Sequence, residues 1–330
     1  MTITSHFGAN TKGGEGEEFS RVVYAGGFAE AIAAKGPRRV YVAGQIDLKG
    51  QKVSATNPHL TVVGLPGSRI INGGLSIRTN DVIVQNLRVH RGCRVPAGDG
   101  ISIWGGGAYN VLVQYCSVFH ATDENVSVSG DDDVWAMPSN VTFRDCIIAE
   151  GLRNANHQDG PHSHGALIRG TMVAIERCLF VSNYRRNPEY RDGATGLIAN
   201  NVILGPGTAA IYLDDTEVSV LGNLLVPAVW TRVPSFLSGS GLAYSEGNLT
   251  VTDDSLELEH GSAHLVSAPY LREGHPRIRP ALSMAGYVLR NAGAFPRDSH
   301  DRRALRGLRR IPAGIIDSPE DVEFDSATKP

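Results

Sequence analysis

Lysine is scarce in this chain, and its distribution is uneven. Lysines and arginines together number 31, but lysine occurs only at Lys12, Lys35, Lys49, Lys52 and Lys329. Every cation between residues 53 and 328 is therefore an arginine or a histidine. Arginine holds carboxylates with a planar two-point fork that lysine cannot form. The bias indicates either a lineage preference in composition or a surface that binds carboxylates, and both interpretations stay open.

Long apolar runs and a strong net charge are also missing. No run is long enough to cross a membrane, so no membrane partner is expected. Residues 1–19 lack the apolar core of a signal peptide. If the protein acts outside the cell, as we expect, either its leader has been removed or it is exported by another route. A net charge of −3 provides no general field that attracts nucleic acid, so no nucleic-acid partner is expected.

A short pattern of alternating apolar residues recurs along the chain. Two fainter copies near residues 40 and 60 precede seven clear ones, whose marker residues lie 22 to 32 positions apart. Alternation predicts strands, and a repeat of this length predicts one supersecondary unit per coil. The predicted fold class is therefore all-β, a right-handed parallel β-helix. The markers are Asn86, Tyr115, Asp145, Arg177, Asn201, Asn223 and Asn248.

The repeats favour one elongated domain over residues 1–330. Residues 1–37 are predicted to form an N-terminal cap with a short helix from about Phe28 to Lys35, since an uncovered β-helix end is an exposed sheet edge. Residues 38–255 are predicted to form the coils and residues 256–330 a C-terminal wrapping segment. Within that segment, Pro280–Asn291 is predicted to contain a short helix and Arg302–Arg310 to form a basic surface stretch.

Two internal columns are expected from the marker positions. Cys116, Cys146 and Cys178 directly follow three markers, so they should stack on successive coils as reduced core thiols. Stacked strands lie about 4.8 Å apart, which is wider than the Cβ spacing of a disulfide. The asparagines among the later markers suggest an amide ladder between coils, although asparagine also tolerates left-handed turns.

Charged residues also align on the repeat. Asp123, Arg153 and Arg186 follow successive markers by 8, 8 and 9 residues, and Asp99 lies on the coil before them. Three longer loops interrupt consecutive coils, so they should lie on one flank of the solenoid and border a groove there. These loops are residues 91–98, 129–140 and 153–163.

The ordered motifs Asp99-GISIWG, Val118-FHATDENVSV, Gly160-PHSHGALIRG and Arg186-NPEYR resemble those of the family 1 pectate lyases. The resemblance extends from Phe7-GANTKGGEG to Ile315-IDSPEDV and so covers most of the chain. It implies a pectin-lyase-like solenoid that cleaves pectate, polygalacturonate or a related uronate polymer by β-elimination. In that reaction a base removes the C5 proton and the C4 oxygen leaves. Ca²⁺ neutralises the charge that develops on the substrate carboxylate.

Residue by residue, the resemblance implies a metal set and a catalytic pair. Asp99 and Asp123 would be calcium ligands, with Glu124 their neighbour. Arg186 matches the family's base and Arg191 its partner, through the Arg-x-Pro-x-x-Arg pattern. An arginine base needs help from its surroundings, because the pKa of arginine lies above about 12.

Two positions depart from the family pattern. Ser127 stands where the family often has a second aspartate, which predicts a weaker calcium site whose ion arrives with substrate. His164 stands where a lysine is common. It is counted among the catalytic residues because an imidazole with a pKa near neutrality can bind a carboxylate or take up a proton.

Further residues carry open alternatives. Arg153, Trp104 and Tyr190 are predicted to bind substrate, with burial against the solenoid as the alternative for the two aromatic rings. The spacing of His157, His162 and His164 suits zinc, but no cysteine or second cluster supports a zinc site. Residues 131–133, three aspartates, are predicted to be a solvated loop tip, with calcium binding as the lesser alternative.

Three functions are compatible with these observations. The first is a monomeric lyase acting on an acidic polysaccharide. The second is a trimeric, virion-associated tail protein that degrades a bacterial exopolysaccharide, an alternative that the missing signal peptide favours. The third is a non-catalytic carbohydrate-binding solenoid, for which Ser127 and His164 are the evidence.

Overall fold

The computed structural model describes residues 7–16, 19–24, 26–93, 96–131, 137–232, 235–251, 257–259, 263–270, 277–310 and 314–323. Within them the chain winds into three parallel sheets of eleven, nine and nine strands. The predicted all-β, right-handed parallel β-helix is confirmed. In the same residues, no helix is long and apolar enough to span a membrane.

The first coils contain β1 (Phe19–Val23), β2 (Arg38–Val42), β3 (Gln45–Asp47), β4 (Lys52–Ala55), β5 (Leu60–Gly64), β6 (Arg69–Ile71), β7 (Gly74–Ile77), β8 (Val82–Gln85) and β9 (Arg88–His90). The middle coils contain β10 (Ile101–Trp104), β11 (Tyr109–Gln114), β12 (Ser117–Phe119), β13 (Glu124–Ser129), β14 (Ser139–Arg144), β15 (Ile147–Ala149), β16 (His164–Ile168), β17 (Thr171–Glu176), β18 (Leu179–Val181) and β19 (Glu189–Arg191). The last coils contain β20 (Thr195–Ala199), β21 (Val202–Leu204), β22 (Ile211–Asp214), β23 (Glu217–Leu221), β24 (Leu224–Val226), β25 (Ser235–Gly239), β26 (Leu242–Glu246), β27 (Leu249–Thr250), β28 (Glu257–Glu259) and β29 (His264–Leu265).

Most coils place one strand in each sheet, and every pairing is parallel. Sheet A has the order β1-β2-β5-β8-β11-β14-β17-β20-β23-β26-β29. Sheet B runs β3-β6-β9-β12-β15-β18-β21-β24-β27, and sheet C runs β4-β7-β10-β13-β16-β19-β22-β25-β28. In sheet A, Val84, Val113 and Phe143 are in register on three coils and are fully buried. Burying one such side chain contributes about 1.5–3 kcal/mol, which explains why the apolar alternation sets the register.

The turn from sheet A to sheet B corrects the marker positions. On the seven coils of the clear repeat, its left-handed residue has a φ between 51° and 67°. On the first four of these seven coils this residue is the predicted marker, but the predictions Asn201, Asn223 and Asn248 were wrong by one position. Because two asparagines are adjacent at 200 and 201, residue type alone could not assign the turn. The left-handed series is Asn86, Tyr115, Asp145, Arg177, Asn200, Gly222 and Gly247.

With this correction, the two predicted columns become one. The position after the left-handed residue holds Cys116, Cys146 and Cys178, all buried thiols, and then the three asparagines. The Asn201 amide donates to Asn223 Oδ1 at 3.0 Å, and the Asn223 amide donates to Asn248 Oδ1 at 2.9 Å. The amide ladder is therefore confirmed. It satisfies polar groups that would otherwise be buried without partners.

A short helix covers the N-terminal end, as predicted. Helix α1 (Phe28–Ala33) buries Phe28 and Ile32 over the first coils. Arg38 lies beneath it, fully buried, and donates to Ala31 O, Ile32 O and three further carbonyls of neighbouring turns. A buried charge is tolerated here because its donors are saturated.

The C-terminal segment packs on sheet B. It contains α2 (Ser283–Asn291), α3 (Ser299–Arg306) and the short α4 (Glu320–Glu323). The prediction that Arg302–Arg310 is a basic surface stretch was wrong in part, because Ala304 and Leu305 are buried in an apolar cluster with sheet B and Arg303 pairs with buried Glu150. Ile316 forms a parallel bridge with Leu152, so the segment returns along the solenoid. Strands β1, β28 and β29 extend the sheets outside residues 38–255, and the domain boundaries stay a prediction.

Candidate functional site

The predicted site residues meet where the loops from sheet B enter sheet C. Glu124 begins β13, His164 begins β16, and Arg185 forms a bridge beside His164 on the next coil. Glu124 and His164 are direct partners in the parallel register. The groove cluster consists of Asp99, Asp123, Glu124, His157, His162, His164, Arg186, Glu189 and Arg191.

Arg186 connects two coils within this cluster. Its Nη1 contacts and donates to Glu124 Oε1, across 62 residues of sequence. Its Nε lies 3.4 Å from Glu189 Oε2, and its side chain is 17% exposed. The backbone at Arg186 is left-handed, with a φ of 60°, so the chain turns there before β19 begins. The guanidinium is therefore held between two carboxylates and still has access to solvent.

Glu189 is a site residue that the sequence interpretation missed. Its side chain is only 4% exposed, and its carboxylate lies 3.6 Å from Arg191 Nη1 and 3.9 Å from Arg185 Nη2, in addition to Arg186. Arg185, Arg186 and Arg191 lie within seven residues and repel one another unless a carboxylate lies between them. This spacing is the signal in the sequence from which Glu189 could have been predicted. Arg191 is 40% exposed and also pairs with Asp192 at 3.1 Å.

Asp99 is occupied by protein partners. Ser127 Oγ donates to Asp99 Oδ2 at 2.8 Å, and the Glu124 amide donates to Asp99 Oδ1 at 3.4 Å. Lys52 Nζ lies 3.6 Å from Oδ2. The hydroxyl of Ser127 therefore provides a hydrogen bond to Asp99 at the position where the resemblance leads one to expect a second carboxylate.

Asp123 lies against two histidines. His157 Nε2 and His162 Nε2 are each 3.5 Å from one of its carboxylate oxygens. The two imidazole rings are stacked with centroids 3.6 Å apart, and the side chain of Asp123 is 28% exposed. The loop of residues 153–163 therefore brings both rings over the start of sheet C.

His164 is buried and uncharged near neutral pH. Burial, followed by His162, lowers its pKa from 6.5 to about 3. Its Nδ1 lies 3.5 Å from Glu124 Oε1 and has no hydrogen-bond partner. The expectation of a pKa near neutrality was wrong, because that expectation ignored desolvation of the ring. His164 therefore does not supply the positive charge of the lysine that it replaces in the resemblance.

Two groups in the groove cluster could hold a metal ion. One is Asp123 with His157 and His162, and the other is Asp123 with Glu124 and His164. In each group the candidate ligand atoms all lie within 4.8 Å of one another. Asp99 belongs to neither group. Both sets mix imidazole nitrogen with carboxylate oxygen, a combination that suits zinc-like ions better than calcium.

The predicted substrate-binding residues have different positions. Tyr190 cannot stack on a sugar, because its ring is fully buried in the core and its hydroxyl donates to Val173 O at 3.0 Å. Inward and outward side chains alternate along β19, so Tyr190 faces the core while its neighbours Glu189 and Arg191 face the groove. Trp104 is partly exposed at the end of β10, with Arg78 6.0 Å from its ring centroid.

Arg153 begins the long loop that precedes β16, directly after Leu152, whose amide donates to Ala121 O at 2.8 Å. Its guanidinium stacks 3.9 Å above the ring of Tyr184, and its amide donates to Ile316 O. Its predicted contact with substrate stays a prediction. In the predicted loop tip of three aspartates, Asp131 is exposed, and residues 132–133 lie outside the described residues.

Comparison with solved structures supports the fold assignment. A Bacillus subtilis pectate lyase variant superimposes with a TM-score of 0.67 at 13% identity, covering 89% of this chain and 97% of that one. A pectate lyase bound to a hexasaccharide gives 0.62 at 14% identity, covering 89% and 97%. The major allergen of cedar pollen gives 0.63 at 14% identity, covering 88% and 92%. No protein-family model and no curated protein matches the sequence. The chain therefore has the pectate lyase fold.

Proposed function

We propose that this protein is a polysaccharide lyase that cleaves a uronate polymer by β-elimination. The observation that carries the proposal is the position of Arg186, which lies at the groove between Glu124 and Glu189 at the start of sheet C. The Arg-x-Pro-x-x-Arg motif ends in Arg191, whose guanidinium remains 40% exposed. A hexasaccharide bound to one solved pectate lyase supports an oligosaccharide as the ligand of this fold.

Arg186 takes the C5 proton in the proposed reaction. A protonated guanidinium cannot accept a proton, so Arg186 must release one at the same time. Glu124 Oε1 contacts Arg186 Nη1 and receives that proton. The C5–H electron pair becomes the C4=C5 double bond, the C4–O bond breaks, and water protonates the leaving oxygen. The hydroxide formed in that step takes the proton from Glu124, which restores the Arg186–Glu124 pair. The exposed guanidinium of Arg191 stabilises the charge that develops on the substrate carboxylate.

Calcium is the ion that the resemblance implies, but the groove residues do not fit it. Calcium takes six to eight oxygen ligands. Here Asp99 is engaged by Ser127 and Lys52, and Asp123 faces two imidazole nitrogens. Within the described residues, no group of three carboxylates forms a candidate metal site. The proposed reaction therefore involves no calcium-dependent step, and we expect polygalacturonate cleavage to persist when the chelator EGTA replaces added calcium.

A panel of uronate polymers tests this function. The ultraviolet absorbance of the unsaturated product should increase with time on at least one polymer. Arg186→Ala should lower kcat/KM by about 10²–10⁴-fold, the usual contribution of a positioned base. Arg290→Ala, at an exposed position of α2, is the matched control and should retain full activity.

Three outcomes would count against the proposal. No unsaturated product from any polymer, with or without calcium, would exclude a lyase on these substrates. Binding of a polymer without cleavage would favour the carbohydrate-binding alternative. Equal activity of the Arg186→Ala variant and its parent would exclude Arg186 as the base, and an absolute requirement for calcium would contradict the inferred misfit of the ion.

A further inference from the structure

A second histidine-rich cluster lies away from the groove, between sheet B and the C-terminal segment. It borders an open cleft of about 290 Å³ whose lining includes His90, His120 and His300. His90 ends β9 on the solenoid, whereas His300 lies in the first turn of α3. The tether cluster consists of His90, His120, Glu150, Asp298, His300, Asp301, Arg88 and Arg303.

Three ligand-type atoms in this cluster point at one another without hydrogen-bond partners. They are His90 Nε2, Asp298 Oδ2 and His300 Nδ1, and each atom is buried. Both nitrogens lie 3.9 Å from the Asp298 oxygen. All three atoms lie within 4.8 Å of one another. A separation of 3.9 Å is too long for a hydrogen bond but leaves room for an ion between the atoms.

Buried polar atoms without partners are rare and costly. Three such atoms at one point therefore call for a ligand. A tetrahedral zinc ion with bonds of about 2.0–2.1 Å separates its ligands by about 3.4 Å. The three atoms, two of whose separations are 3.9 Å and all of which lie within 4.8 Å of one another, therefore need to move inward to reach this spacing. Two imidazole nitrogens and one carboxylate oxygen are a common zinc ligand set.

The surroundings keep the imidazoles neutral, as a metal ligand requires. Burial and then the nearby histidines lower the pKa of His90 well below its usual value, and burial, His120 and Arg303 lower the pKa of His300 to about 4. The nearest fixed cation is Arg88, whose Nε lies 3.4 Å from Asp298 Oδ2. Its charge is balanced by Asp301, which accepts from Arg88 Nη2 at 2.9 Å.

We propose that His90, Asp298 and His300 bind a zinc-like divalent cation that ties the C-terminal segment to the solenoid. The ion joins β9 to the start of α3 across about 210 residues of sequence. Its fourth position faces the cleft and is filled by water or a side chain of the cleft lining. The site is separate from the groove cluster, and the proposal does not depend on lyase activity.

Metal stoichiometry in the intact chain tests the proposal. The protein is stripped with EDTA, dialysed against Zn²⁺ and analysed for bound zinc by mass spectrometry. Asp298→Asn is the preferred variant, because its remaining Oδ1 can still accept the Asp301 amide and cap α3. His300→Ala is the second variant, and His264→Ala, which removes an exposed histidine outside both clusters, is the control.

The parent and the control should each bind one more zinc per chain than either tether variant. Zinc should also raise the Tm of the parent and of the control but not that of Asp298→Asn or His300→Ala. Both variants must show the circular dichroism of the parent. A His157→Ala/His162→Ala variant should keep this zinc and this increase in Tm, because it changes only the groove.

The proposal would be overturned if both folded tether variants bound as much zinc as the parent. It would equally be overturned if only the His157→Ala/His162→Ala variant lost zinc, since the ion would then be in the groove. Absence of zinc binding by the parent in the micromolar range, with no change in Tm, would have the same meaning. If one tether variant fails to fold, the other and the Tm of the parent still decide the question.

Discussion

The groove cluster and the tether cluster are built from the same residue types, but they differ in burial. In the groove, Arg186 and Arg191 remain 17% and 40% exposed while they contact buried Glu189. In the tether cluster the carboxylates of Glu150 and Asp301 are fully buried. The groove cluster therefore presents charged groups to a ligand, whereas the tether cluster uses its charges to hold two parts of the chain together.

The two clusters also differ in how far apart their residues lie in the sequence. Groove residues lie within 92 positions between Asp99 and Arg191 and meet because successive coils stack. Tether pairs such as Glu150–Arg303 and Arg88–Asp301 join residues 153 and 213 positions apart. A repeat can therefore predict the first cluster, but it contains no information about where a non-repeating C-terminal segment returns to the solenoid.

The largest expected effect is on stability, from breaking the tether cluster. Arg303→Met leaves Glu150 buried without its main cation, and removing one partner of a buried ion pair costs about 3–5 kcal/mol. Urea unfolding should detect that loss. Arg306→Met, on the exposed side of α3, is the matched control and should unfold like the parent. If both variants lost stability equally, helix packing rather than the ion pair would be the cause.

The next effect is on activity, from removing the carboxylate that holds the groove arginines. Glu189→Gln keeps the shape of the side chain but weakens the ion pairs with Arg186 and Arg191. A catalytic group displaced by about 1 Å can lose about 10²-fold in rate, so kcat should fall by that order while KM changes less. Glu217→Gln, at an exposed position on β23, is the control. An unchanged kcat would show that Glu189 does not position the pair.

Much of this comparison was accessible from sequence. Apolar alternation predicted the coils and the thiol and asparagine columns, because these features repeat. The N-terminal helix was predicted separately, because the end of a solenoid needs a cover. The repeat aligned Arg186 with Asp123 across two coils, and in the structure Arg186 contacts Glu124, the residue after Asp123. The substrate-binding prediction for Tyr190 failed, because side chains alternate between the two faces of β19 and Tyr190 faces the core.

Residue chemistry at the groove was harder to predict. The ordinary pKa of histidine suggested a titrating group at His164, but burial shifts its pKa to about 3. Ser127 was interpreted only as a missing ligand, whereas its hydroxyl satisfies Asp99. Glu189 was overlooked because its role depends on which face of β19 it occupies. Burial and facing are tertiary properties, and a single sequence does not specify them.

Acid should destabilise both clusters through their buried histidines. The folded pKa of His164 is about 3 and that of His300 about 4, both below the usual 6.5. Below about pH 6.5 the unfolded chain therefore binds protons that the folded chain does not, and the free energy of unfolding decreases as the pH is lowered. Each group contributes at most about 1.4 kcal/mol per pH unit.

Urea unfolding in EDTA at pH 6.5, 5.5 and 5.0 measures this dependence. His164→Asn and His300→Asn should each reduce the slope of unfolding free energy against pH, by similar amounts, since both titration windows include this range. Glu150 contributes little there, because its pKa of about 2 means that it loses its stabilising charge only below about pH 4.5. Burial raises the pKa values of Asp145, Glu176 and Asp301, but their contribution is common to the parent and both variants. A slope unchanged in either variant would mean that the histidine in question is accessible to protons in the folded chain.

The smallest expected effect concerns Trp104, an aromatic ring at the other end of the sheet C strands from the groove cluster. Trp104 ends β10 beside Ser129, the last residue of β13, and is partly exposed, so its ring can stack on a sugar of a bound polymer that extends along sheet C. Trp104→Ala should raise KM about fivefold, equivalent to about 1 kcal/mol, with kcat unchanged. Trp230→Ala is the control. Trp230 lies in the loop after β24, and its indole donates to Gly205 O, so the variant removes the same ring at a position that the proposal does not assign to the polymer. A fall in kcat without a change in KM would instead mean that Trp104 stabilises β10, the strand that follows Asp99. The polymer would then contact only the starts of the sheet C strands.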